Sequence, residues 1–146
     1  MVEPTRLTLR LETPLDSLVG FERAPRDDAE RRAVATALGQ LRDGARLFAV
    51  DPAADCRFSR ADLQVPAFLA GSRPAAAGPT AATGSHAEVE ASYEFECRAG
   101  GQAAFVEARL FQPFGRLQRI DGQAVTPQAQ RRFTLRRPAV RVELAR

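Results

Sequence analysis

Residues 86–97, His-Ala-Glu-Val-Glu-Ala-Ser-Tyr-Glu-Phe-Glu-Cys, alternate polar and apolar without a break. Successive side chains of a strand point to opposite sides of the sheet. His86, Glu88, Glu90, Ser92, Glu94 and Glu96 therefore share one face, and Ala87, Val89, Ala91, Tyr93, Phe95 and Cys97 share the other. Such a segment folds only as a half-buried strand with one face on a core. Its polar face begins with the chain's single histidine, two positions from a carboxylate.

The rest of the chain follows the same logic. Thr5 to Glu12 alternates at period 2 and predicts a strand that Pro14 ends. Residues 15–21 are too irregular for a strand and predict a turn or a single helical turn. Asp27 has the place of an N-cap, with Glu30 three residues on as in a capping box. Ala33, Val34, Ala37, Leu38 and Leu41 recur at helical spacing, so one long helix is expected over 27–43, with Gly44 as its stop. Leu47 and Phe48 are expected in the core, and Asp51-Pro52 opens a turn. Further strands are expected at 56–65, 103–111, 116–125, 130–137 and 139–144, with Pro138 marking a break or an edge. Residues 71–85 are rich in Gly, Pro, Ala and Thr and predict a flexible internal loop. A strand, a helix and then a run of strands make an α+β fold, mainly antiparallel sheet. At 146 residues the chain has the size of a single domain, 1–146.

Several function classes are disfavoured. No apolar run reaches the roughly 18 residues that span a bilayer, so no membrane insertion is expected. Met1-Val2-Glu3-Pro4 has neither the basic start nor the apolar middle of a signal peptide. That leaves a cytosolic protein or one starting at its mature end. All 21 cations are arginine, which excludes a Schiff-base lysine. Gly-x-Ser-x-Gly, Walker-type and His-Glu-x-x-His motifs are absent, Gly100-Gly101 suits a hairpin, and Glu90 with Glu94 suits a solvated face better than a glycosidase pair. The expectation is that the protein is not an enzyme. Arginines gather at 131, 132, 136, 137, 141 and 146 with Phe133 the only aromatic among them. A face paired with the acidic strand of 86–96 is expected there rather than a nucleic-acid patch.

Cys56 opens one strand-like segment and Cys97 closes the apolar face of another. Two inward-facing cysteines are either buried thiols or a disulfide; the disulfide is the favoured reading, since in an oxidising compartment it closes a long loop. A catalytic cysteine would need His86 as its base and is disfavoured.

The order of several segments resembles one family. They are Leu15-Asp16-Ser17-Leu18-Val19-Gly20-Phe21-Glu22-Arg23-Ala24-Pro25 with the acidic-capped helix after it, Leu47-Phe48, Ala53-Ala54-Asp55-Cys56, His86-Ala87-Glu88, Tyr93-Glu94-Phe95-Glu96-Cys97 and Leu110-Phe111-Gln112-Pro113-Phe114. Over residues 5–144 the chain looks like the zinc-regulated, periplasmic ZrgA-like family. The resemblance implies a periplasmic location, a Cys56–Cys97 disulfide, and zinc binding or zinc acquisition, in company with components of a zinc-uptake transporter. The family pattern also carries an opening His-x-His-Gly segment, a histidine where Arg23 stands and a histidine-rich central loop. Here Val2-Glu3-Pro4-Thr5 and a loop lacking histidine before His86 stand in those places. A weakened zinc site is therefore expected, with His86 as the obligatory ligand and Glu88 or Glu90 as oxygen donors, because residues i and i+2 of a strand share a face about 7 Å apart. The alternative expectation is a metal-free periplasmic interaction or scaffold protein of the same fold.

Overall fold

The structure, a computed structural model, describes residues 5–69, 88–99, 102–126 and 130–144. It holds the strands β1 (Thr5–Pro14), β2 (Phe48–Val50), β3 (Cys56–Gln64), β4 (Glu88–Cys97), β5 (Phe105–Ala108), β6 (Arg119–Val125), β7 (Gln130–Arg136) and β8 (Arg141–Glu143). The helices are α1 (Asp16–Val19), α2 (Asp28–Arg42) and α3 (Gly44–Leu47). The strands form a five-stranded sheet in the order β3-β4-β1-β6-β7 and a three-stranded sheet β2-β5-β8, antiparallel at every pairing. The expected mainly antiparallel architecture stands.

One apolar cluster joins the two sheets. Leu7, Leu9 and Leu11 of β1 meet Val89, Ala91, Tyr93 and Phe95 of β4, with Ile120, Ala124 and Leu135 from β6 and β7. Phe48, Val106 and Val142 enter from the smaller sheet, and Leu41 and Ala37 from α2. The period-2 pattern of residues 88–97 is realised residue by residue. Every second side chain from Val89 to Cys97 is buried, and Glu88, Glu90 and Glu96 are exposed.

Asp27 caps α2 as its sequence position demands, accepting the Glu30 N–H at 2.8 Å. Glu30 does not complete the capping box on Asp27. Its carboxylate accepts the Arg26 N–H and a forked pair of bonds from the Arg23 guanidinium at 2.7 and 2.9 Å. The Arg23 bonds first, and the Arg26 N–H second, hold its pKa down at about 2.

Four expectations need correction. There is one helix longer than a turn, but α1 and α3 accompany it, so "one long helix" is only part of the description. Gly44 does not stop α2; the helix ends at Arg42, and Gly44 opens α3. A glycine is needed there because a Cβ at 44 would lie 2.5 Å from the Phe58 ring. Residues 48–50 form a strand that was not expected, too short for any period to register. The strand expected at 103–111 ends at Ala108 and gives way to turns from Leu110 to Arg116. Arg137 ties these turns down: its guanidinium donates to the carbonyls of Phe111, Phe114 and Leu117 at 2.8–3.1 Å and lies 4.9 Å from the Phe111 ring centroid.

The pairing of the acidic strand with the terminal arginines also fails. β1 and β6 stand between β4 and β7. Among the described residues no arginine of 130–141 forms an ion pair with Glu88, Glu90, Glu94 or Glu96. The register instead sets Glu96 between Arg6 and Arg57. The loop expected at 71–85 lies outside the described residues.

Candidate functional site

The polar face of the five-stranded sheet is a stack of cross-strand rungs. One rung runs Asp62, Ser92, Arg10, Gln123 and Arg132 across all five strands. The next runs Gln64, Glu90, Glu12, Asp121 and Thr134. Together with Arg60 they line a groove of about 1150 Å³. Opposed residues in such rungs stand within about 5.5 Å of each other at their Cα atoms. Three carboxylates thus lie side by side on three neighbouring strands, with two guanidiniums on the rung beside them.

Like charges directly opposed on a sheet repel, and Glu12, in the middle, shows it. Its pKa is raised, first by partial burial, then by the charge of Glu90 and a side-chain hydrogen bond with it, and then by Asp121; Arg132 opposes the shift. A carboxyl whose folded pKa lies above its unfolded value binds its proton more tightly when folded. Its contribution favours the fold at pH below the ordinary carboxylate range and is lost as pH rises through the raised value. Glu12→Gln is therefore expected to raise the melting temperature at pH 7 in the presence of a chelator, with the gain vanishing as pH falls below about 4.3. Thermal melts of both proteins across that range check it; an unchanged or lowered melting temperature at pH 7 contradicts the repulsion.

The residues expected to ligate zinc distribute as follows. His86 lies outside the described residues. Glu88 is exposed at the start of β4, opposite Pro14. Glu90 points into the groove beside Glu12 and Asp121, partners that sequence reasoning did not name. The side of Glu12 was legible from the alternation of β1, but the place of Glu12 and of Asp121, on β6, beside Glu90 depends on register between strands far apart in the chain.

Cys56 and Cys97, registered partners on β3 and β4, form a disulfide with an S–S distance of 2.00 Å. The favoured reading of the two cysteines holds, and both sulfurs are thereby withdrawn from metal binding. Zinc prefers about four ligands with several nitrogens or sulfurs among them. The described part of the groove offers oxygens only, and among the described residues no three Asp, Glu, His or Cys side chains are grouped to hold a metal ion. The described residues alone thus do not fit a closed zinc site. No described helix is long and apolar enough to cross a membrane.

Comparison with curated proteins yields no match. Comparison with protein families yields one described as ZrgA family zinc uptake protein, whose model matches residues 1–144. That span contains both sheets, the disulfide and the groove. The chain belongs to the ZrgA family of zinc uptake proteins.

Proposed function

We propose that this protein is a periplasmic zinc-binding accessory of zinc uptake whose own metal site is weak. The observation that carries the reading is the family match over residues 1–144. The disulfide supports an oxidising compartment outside the cytoplasm, since cytoplasmic thiols are kept reduced. Zinc is cargo here, not a catalytic group, and the protein performs no chemistry on it. His86 supplies the nitrogen ligand, and Glu88 or Glu90, close behind it in the sequence, supplies oxygen. The natural protein partner is a component of a zinc-uptake transporter that receives the ion.

One nitrogen with hard oxygens is a poor set for a borderline metal. Calorimetry at pH 7.5 is expected to give a zinc dissociation constant no tighter than about micromolar. His86→Ala is expected to weaken it at least about tenfold, the equivalent of one lost ligand. Equal binding by both proteins removes His86 from the site. Nanomolar binding means that ligands lie elsewhere in the chain.

A second reading has an observation of its own. With both sulfurs bridged and no metal-holding group among the described residues, a member that keeps the fold as a metal-free interaction protein is the alternative. It predicts no heat of zinc binding from the wild type.

A further inference from the structure

β7 ends the five-stranded sheet, and among the described residues no strand is paired to its outer edge, though β8 lies against β7 and the Ala139 N–H donates to the Arg136 carbonyl at 2.8 Å, closing that end. Its register with β6 is continuous from Arg119 opposite Arg136 to Val125 opposite Gln130. The Arg137 N–H donates to the Gln118 carbonyl at 2.9 Å. Antiparallel alternation then turns residues 131, 133 and 135 toward β6 and leaves the N–H groups of Arg132, Thr134 and Arg136 facing the open edge. The opposite end of the sheet is blunted in two ways. β3 carries a register shift between Phe58 and Arg60 and packs beside α2 and α3; a bulge and a covering element are both ways of blunting an edge.

The charge of β7 is one-sided. Residues 130–137, Gln-Arg-Arg-Phe-Thr-Leu-Arg-Arg, contain four arginines and no acid. Arg131, Arg132 and Arg136 take part in no ion pair among the described residues. Arg136 even stands directly opposite Arg119, a like-charge pair relieved on one side only, by Asp121 at 3.2 Å from Arg119. A second copy of β7 on this edge would set arginine against arginine, so self-pairing is repelled. A strand bearing carboxylates at alternate positions would relieve it.

We propose that β7 is a docking edge for an extended acidic segment of a partner protein. The segment adds as a sixth strand, hydrogen-bonded to the outward N–H and C=O groups of Arg132 and Thr134, with its carboxylates over Arg132 and Arg136. This goes beyond the zinc reading and does not depend on it.

The probe is a capped seven-residue peptide alternating Glu and Val, titrated into the full chain. A second peptide has Lys for Glu, and a third carries N-methylated amides along the pairing edge, which cannot add to a sheet. The Glu peptide is expected to bind at least about tenfold tighter than the Lys peptide, and to lose at least about tenfold in Arg132→Glu/Arg136→Glu. Binding weakens with salt, as expected for exposed charges. The N-methylated peptide is expected not to bind, an arm that needs no altered protein. Arginines that merely deter edge pairing would give no binding of the Glu peptide, which overturns the proposal. So does equal binding of the Glu and Lys peptides, undiminished binding of the N-methylated peptide, or displacement of the Glu peptide by phosphatidylglycerol vesicles, which would assign the arginines to a lipid surface.

Discussion

Replacing both Cys56 and Cys97 by alanine is expected to lower stability by about 4 kcal/mol. The disulfide joins residues separated by 41 positions, and a loop of that size loses roughly this much denatured-state entropy when closed. The native state offers no compensation for losing it. Cys97 is 2% exposed, in the core between the two sheets, so the alanines also remove apolar contact. β3 depends on the bridge more than other strands do, since it is an end strand whose pairing to β4 is broken by a register shift next to the disulfide. Urea unfolding of wild type and variant measures the difference. Adding reductant to the wild type should reproduce most of the variant's loss, while the variant should not respond. A difference below about 1 kcal/mol would show that the loop is already restrained when unfolded.

Tyr93→Ala is expected to cost about 3–5 kcal/mol, the range for deleting a large buried aromatic. Tyr93 is 0% exposed, its ring centroid lies 4.7 Å from that of Phe48, and its hydroxyl donates to the Leu41 carbonyl at 2.6 Å. That carbonyl belongs to the last turn of α2, where four C=O groups lack helical donors. One side chain of β4 therefore does two things: it fills the core and caps the helix packed over it. Tyr93→Phe separates them. It keeps the ring, leaves the carbonyl unpaired, and is expected to cost about 1–3 kcal/mol. Burial raises the pKa of the hydroxyl, so the phenol remains a donor throughout the neutral and mildly alkaline range. Tyr93 is the chain's only tyrosine and there is no tryptophan, so its ultraviolet absorbance reports the titration without interference. Ionisation at the ordinary value near pH 10 in the folded protein would contradict the buried hydrogen bond.

How far the sequence led can be judged element by element. The alternation of 88–97 was legible because one strand face meets the core and the other meets water, and nothing in the fold overrides it. The start of α2 was legible because Asp27 is a local cap. Gly44 misled because its reason is not local: a phenyl ring from β3 fills the space of its missing side chain. β2 was missed because three residues cannot show a period. The acidic strand was matched with the wrong arginines because charge complementarity does not specify strand order, and β1 and β6 intervene. At the candidate site, Glu90 was named from its own strand. Glu12 and Asp121 were not, because only the register brings them there.

The zinc reading rests on which atoms hold the ion. X-ray absorption at the zinc edge, on protein loaded with less than one equivalent of zinc, reads those atoms directly. With both cysteines bridged, the account predicts only nitrogen and oxygen neighbours, at about 2.0–2.2 Å, with the signature of one imidazole that disappears in His86→Ala. Sulfur neighbours at about 2.3 Å, or an imidazole signature that survives His86→Ala, would contradict it.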